Sequence, residues 1–453
     1  MAKFDPNNTV TRRDAIKTGA GVAAATGTVL YAPAVIGQAK PFDGETINVA
    51  SFSGPYPKML ASYIPEFEDM TGITVNYETP GFPVYNQRAD LELSTQGSAY
   101  DVLNVTFIYT ARWIGAGWFT PLEEFLNDPN KTPPDFDVGD FLEGTLAPMR
   151  DKQGQLYGIP WIADAMMATA TRYDLMQQEG LAMPETFDDI VTVCDAMHNK
   201  EPGLAGFINE NHHGWTFPPY VQAFGGDIFV DPPENLMPTL DSPEAIAAAE
   251  YYASLLRDYG PDGVLSYTYD QAVAALQQGR ANYMTFNHAF ILQAADPAKS
   301  KVADTVTFSL MPAGPVGRRP GLAVHAFGIP VGSRKKDAAW EFIKWSLARD
   351  TMERVMNEKG YGSVTRKSLI DSPDFKQRML VNGIDMADLY VKTIDISAEG
   401  YMTYRTVAVY PQVDKQLDKA IENIVSGQMS PEEAMRTAQA NSVSDLKRAG
   451  IKL

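Results

Sequence analysis

The chain is poor in the groups that build covalent or metal-centred chemistry. Its 453 residues include a single cysteine, Cys194. One cysteine excludes an intramolecular disulfide and a thiolate-built zinc site. There are only five histidines, and His212-His213 lacks the H-E-x-x-H spacing of a zinc protease. No C-x-x-C-H, no G-x-G-x-x-G after a strand and no G-x-S-x-G occurs. Basic residues are the minority, 38 against 56 acidic, for a net charge of -18. That balance argues against nucleic acid or anionic lipid as a partner. Beyond the first forty residues no segment approaches the ~18 uninterrupted apolar residues that span a bilayer. There is no internal repeat and no low-complexity tract. What remains is a globular composition, 45% hydrophobic, with 31 prolines and 35 glycines spread through it. It is long enough for two or three domains. No cofactor and no metal is expected.

Residues 1–39 read as an address. Thr11-Arg12-Arg13-Asp14-Ala15-Ile16-Lys17 matches the twin-arginine export pattern, with Ala15 where Phe is usual. A mild apolar stretch follows from Thr18 to Ile36, and Gly37-Gln38-Ala39 offers small residues for signal peptidase. Ala32-Pro33-Ala34 is a second cleavage site. No cysteine ends the leader, so no lipid anchor is expected. The product is an acidic, exported, periplasmic protein.

The mature chain alternates strand and helix. Thr46–Ala50, Ile73–Tyr77 and Tyr100–Val105 are the first strands, with a helix from Pro55 to Met70 between the first two. Such alternation predicts a parallel sheet, whose ligands bind beyond the carboxyl ends of its strands. That rule singles out Ser53, Gly54, Thr106, Phe107 and Tyr109, whereas Trp113 and Trp118 read as packing residues. Further on, Thr186 and Asp189 have capping-box spacing. Ile190, Val193, Cys194 and Met197 share one helical face, so the thiol is expected to be buried and inert. Ser430-Pro431-Glu432-Glu433 reads as another capping box. The glycine-rich run Gly314–Gly321 lacks the Gly-Lys-Ser/Thr ending of a phosphate loop and reads as an exposed loop.

The chain is organised around residues 153–175, QGQLYGIPWIADAMMATATRYDL. A short Leu156–Ile159 strand is expected to end at Pro160, which has no N–H to donate. The small, apolar run Ala163–Ala170 carries one acid, Asp164, and reads as a strand crossing between two lobes with its charge facing a cleft. Here the chain resembles the extracellular solute-binding proteins of ABC importers, the group of maltodextrin-, sugar-alcohol- and glycerol-phosphate-binding proteins. Gly117–Leu122, Gln222–Asp227, Gly279–Met284 and Ala338–Trp345 are similar to further patterns of that family, in the same order.

The resemblance implies a type II periplasmic-binding-protein fold: two α/β lobes joined by three crossing segments, near Ala163, Val324 and Gly362, with a ligand cleft between them. Lobe 1 would comprise 43–163 and 324–360, and lobe 2 would comprise 164–323 and 361–453. It also implies lobe closure on a sugar, oligosaccharide or polyol, and delivery to an inner-membrane permease by a monomer. In such a cleft, planar polar groups meet hydroxyls and aromatic faces cover the ring. Asp164, His213, Asn287, His288 and His325 would supply the first kind of group, and Trp161, Trp215 and Phe107 the second. Ser53 and Thr106 stand at strand ends. His213 and Trp215 fall where the maltose-binding member has an acid and a stacking aromatic. Arg366 and Arg405 are the cations near the cleft, few for a phosphorylated solute. The alternative is a periplasmic glycoside hydrolase with paired acids, which would turn a glycoside over rather than bind it.

Overall fold

The computed structural model describes residues 40, 42–398 and 402–453, so the leader and its cleavage sites lie outside the described residues. Two sheets carry the architecture. The first contains β1 (Thr46–Ala50), β2 (Thr74–Glu78), β3 (Val102–Thr106) and β4 (Ile159–Ala165). The second begins with β5 (Ala168–Arg172) and β6 (Ala205–Phe207). A hairpin of β7 (Phe229–Asp231) and β8 (Asn235–Pro238) follows, then β9 (Ala281–Phe286) and β10 (Val306–Ser309) return to the second sheet. Finally β11 (Leu322–Gly328) rejoins the first. The sheet orders are β2-β1-β3-β11-β4 and β10-β5-β9-β6. β1 runs parallel to β2 and β3, whereas β11 is antiparallel to β3 and β4.

The expected strands and helices form, with three differences. Residues 55–70 make two helices, Pro55–Ala61 and Ile64–Thr71, because Pro65 starts a new first turn and cannot donate to the preceding one. Pro160 does not end its strand. It lies inside β4, opposite Ala326, while His325 pairs with Ile162. Trp161 is the extra residue of a bulge, which lets the ladder pass a proline without an N–H. Third, Ser430 caps its helix through the Glu433 amide without a reciprocal bond, so it is an N-cap and not a box.

Thr186 and Asp189 do form the capping box, and Cys194 is buried with Ile190, Val193 and Met197. Burial raises the thiol's pKa, which leaves it inert. Trp113 is fully buried, its indole N–H on Asp90.

One large core underlies the first sheet and continues onto residues of the second such as Ala170, Met284 and Phe308, and another packs on the second sheet through Phe207 and Tyr283. The first packs Trp161 on Phe327 as stacked rings 4.8 Å apart, and both side chains are fully buried. Beneath the second, Tyr220, Tyr252, Phe207 and Tyr283 interlock. Truncating the stacked pair would open a ring-sized cavity, so Phe327→Ala should cost about 3–5 kcal/mol. Urea unfolding checks this: the midpoint should fall while the slope stays unchanged.

Candidate functional site: a cleft between two sheets

Three segments join the two sheets, and they are bonded to each other. β4 ends at Ala165, Met166-Met167 make the turn, and β5 starts the second sheet at Ala168. Met167 takes φ +65°, a conformation side chains disfavour. β11 runs beside β4, returning from β10. The third segment, Tyr361–Arg366, lies across them. Ser363 donates to Asp164 at 3.0 Å, Thr365 to the Pro160 carbonyl at 2.9 Å, and the Tyr390 hydroxyl lies 2.8 Å from the Ala163 carbonyl and 3.0 Å from that of Val364.

Arg366 does not pair with Asp164. Its buried guanidinium holds Asp140 at 3.0 Å and donates to the carbonyls of Phe136, Asp137 and Leu347. Among the described residues Asp164 accepts one hydrogen bond, from Ser363. Burial raises its pKa to about 6 against the lowering effect of that bond.

Between the sheets lies a cavity of about 360 Å³. Phe107, Thr110, Ala147, Leu322 and Val324 line it from the first-sheet side, and Pro232, Pro233, Met402 and Arg405 from the other. Arg405 is 2% exposed. Its guanidinium lies 4.8 Å from the Trp215 ring and donates to the Trp215 carbonyl. Trp215 in turn meets Phe107 edge-to-face at 5.7 Å, so aromatic contact closes across the gap.

The expected site residues divide. Phe107, Trp215 and His325 come together: His325 lies 5.5 Å from Phe107 and 4.5 Å from Phe52. Asn104 accepts from the Trp161 indole at 2.8 Å, so its amide nitrogen donates to His325 Nδ1 at 3.3 Å. The His325 proton is thus on Nε2. Burial lowers its pKa to about 3, so the ring is neutral. Thr106 is paired opposite His325, its hydroxyl buried without a partner among the described residues.

Asn287 and His288 close on the turn between the sheets. Asn287 reaches Met166 Sδ at 3.4 Å and caps the Ala289 amide. His288 Nδ1 donates to the Ala165 carbonyl at 3.3 Å, and burial lowers its pKa to about 4. Asp164 stands on the same turn-proximal ribbon but does not line the cavity.

Others lie elsewhere. Trp161 is a core residue, because the bulge turns its ring onto Phe327 and its N–H is satisfied inside the sheet. His213 is 1% exposed against Tyr252 in the second core, with its pKa lowered to about 3 by burial. Ser53 is exposed after β1. Sequence reasoning missed Phe52, Phe82 and Ser363 as neighbours of these groups. It gave Arg405 only as a nearby cation, since no local pattern places the chain's last helical region against Trp215.

Residues 53–353 match the family of bacterial extracellular solute-binding proteins. The mannitol-binding protein of Pseudomonas aeruginosa is 26% identical over 382 residues, 81% of this chain and 85% of that one. The erythritol/L-threitol-binding protein of Mycolicibacterium smegmatis is 24% identical, over 73% of this chain and 72% of that protein. In fold, the chain superposes on an ABC transporter solute-binding protein of Agrobacterium radiobacter K84 in complex with ribitol. The TM-score is 0.74 at 23% identity, over 89% of this chain and 99% of the other. A counterpart from Agrobacterium vitis S4 with bound D-mannitol gives 0.71 at 24% identity, over 90% and 99%. With two α/β lobes, three bonded crossings and a cavity between the sheets, this chain belongs to the bacterial extracellular solute-binding proteins, the solute-capturing components of ABC transporters.

Proposed function

We propose that this protein binds an acyclic sugar alcohol of the mannitol or ribitol kind in the periplasm and delivers it to its permease. The observation that carries the reading is the cavity. Its volume of about 360 Å³ is at the small end of ligand pockets, roughly 300–1,000 Å³. That size suits one short polyol rather than an oligosaccharide. The names of the similar proteins support the same class: mannitol, erythritol and L-threitol, ribitol. Phe107 and Trp215 offer apolar faces to C–H groups, and Arg405 offers donors to hydroxyl oxygens. Asp164 accepts from Ser363 and stands outside the cavity lining, so it would meet solute hydroxyls only when the lobes close on the ribbon. His325, Asn287 and His288 are buried beside the crossings, outside the cavity lining, and lobes 43–163/324–360 and 164–323/361–453 close about the crossings. Residues 1–39 direct export by the twin-arginine route.

A thermal-shift and calorimetry panel on mature protein tests the solute class. Four- to six-carbon sugar alcohols should raise the melting temperature progressively with concentration, as mass action requires. Stabilisation by maltotriose alone would overturn the reading. Release of reducing sugar from a glycoside would favour the hydrolase alternative instead.

Asp164→Asn keeps the Ser363 bond and removes the charge. Solute affinity should fall at least about tenfold, the loss of roughly 1.5–3 kcal/mol carried by a charged hydrogen bond. Because the folded pKa is raised, the acid's contribution to stability is present below the ordinary carboxylate range and lost as pH rises through about 6. The ligand-free variant should therefore melt above the wild type at pH 7.5, with the gap narrowing towards pH 5. Unchanged affinity would make Asp164 a hinge group held for Ser363.

For the export route, Arg12 and Arg13 both changed to Lys should leave the precursor in the cytoplasm. Cell fractionation reads this directly, and a normal periplasmic yield would remove the twin-arginine assignment.

A further inference from the structure

Behind Trp215 lies a second cluster that solute binding does not use. His212 is the N-cap of the short helix His213–Thr216. Asp414 and Asp418 sit one turn apart on the helix Tyr410–Val425. One ligand atom from each of the three lies within 4.8 Å of the others. His212 Nε2 is 3.0 Å from Asp414 Oδ2, and Asp418 Oδ1 accepts from the Gly214 amide at 2.8 Å.

Helix capping does not account for the whole arrangement. Two acids one turn apart repel, and each would be less costly as an amide if capping were its only task. Asp414 is 8% exposed, yet its Oδ1 is buried with no hydrogen-bond partner among the described residues. That oxygen lies against Gly214, in the place a Cβ would occupy: a built Cβ would come within 1.6 Å of it. The residue is glycine because the carboxylate fills the space of a side chain. Beside the cluster is a third acid, Glu210, which is 9% exposed and whose carboxylate accepts no hydrogen bond among the described residues. Its charged neighbours are His212, Arg405, Asp418 and Asp414.

We propose that His212, Asp414 and Asp418 form a binding site for a first-row divalent cation of the zinc or manganese kind, with Glu210 as an outer acid that adds negative potential. One imidazole with carboxylates suits such ions, whereas calcium and magnesium prefer oxygen-only sets. The cation replaces the proton shared between His212 Nε2 and Asp414 Oδ2, and it gives the unpartnered Asp414 oxygen a counter-charge. His212 is 41% exposed in its side chain, which leaves an entry path. The site ties the Trp215-bearing helix to Tyr410–Val425, and so stiffens one wall of the cleft. Nothing in the sequence signals it, because the histidine and the acids are some two hundred residues apart.

The test uses untagged mature protein stripped with a chelator, without solute, so its outcome is independent of the polyol reading. Zn²⁺, Mn²⁺ and Ca²⁺ are titrated separately by calorimetry, with melting temperature as a second readout. One zinc or manganese ion per chain is expected, with a melting temperature that rises with metal concentration. Asp418→Asn retains an acceptor for the Gly214 amide, and His212→Gln retains a donor for Asp414, so both should fold. Each should weaken metal binding at least about tenfold. The proposal is overturned by no saturable uptake at millimolar metal, by calcium binding alone, or by uptake that both variants leave unchanged.

Discussion

The antiparallel pairing of β4 with β11 is the constraint on which the two-lobed arrangement rests. Both strands belong to the first sheet for most of their length, and both lead into the second at the same end. Two separate connections would let the lobes splay and twist in many directions. A hydrogen-bonded pair restricts them to bending about a shared ribbon, the geometry of a hinge. The bulge at Trp161 increases local twist and fixes the register. In doing so it commits Trp161 to the Phe327 stack.

The third crossing is fastened differently. Its last residue, Arg366, is buried and does not pair with Asp164. The guanidinium satisfies three carbonyls and Asp140, while the rings of Phe136 and Phe141 cover its faces. Burial alone would raise the Asp140 pKa, but the bonds from Ser368 and Arg366 outweigh it and hold the carboxyl below its ordinary range. A buried cation with this many acceptors specifies one geometry, and losing one partner would strand the other. The segment before it is thereby free to place Ser363 on Asp164 without bearing the load of anchoring.

Much of this was legible in the sequence because it depends on local chemistry. The Thr186–Asp189 box and the Cys194 face follow from spacing alone. The order of segments was enough to imply two lobes and a cleft. What failed did so where a neighbour decides the outcome. A proline reads as a strand terminator until a partner strand accepts a bulge. An aromatic beside a crossing reads as a ligand platform until the pleat turns it inward, as with Trp161. His213 and Trp215 are two residues apart, yet one packs on Tyr252 and the other faces Phe107. That division depends on where a four-residue helix is docked, and the docking is set by the distant Tyr410–Val425 helix.

The electrostatics separate the fastened part of the hinge from the working part. Asp140 has a lowered pKa, so its contribution to stability is present above the ordinary carboxylate range and lost only as pH falls through the folded value. Asp164, Glu210 and Asp418 have raised values, about 6, 7 and 6, so theirs is present in acid and lost as pH rises towards neutrality. At neutral pH the fold thus retains three partly desolvated acids that it would hold more easily protonated. Burying a charge without enough donors is costly, and selection for stability alone would replace such groups. Local conflict of this kind concentrates where a protein awaits something from outside. One of the three lies on the hinge ribbon, the place of the proposed solute contact, and two lie behind Trp215, at the proposed cation site.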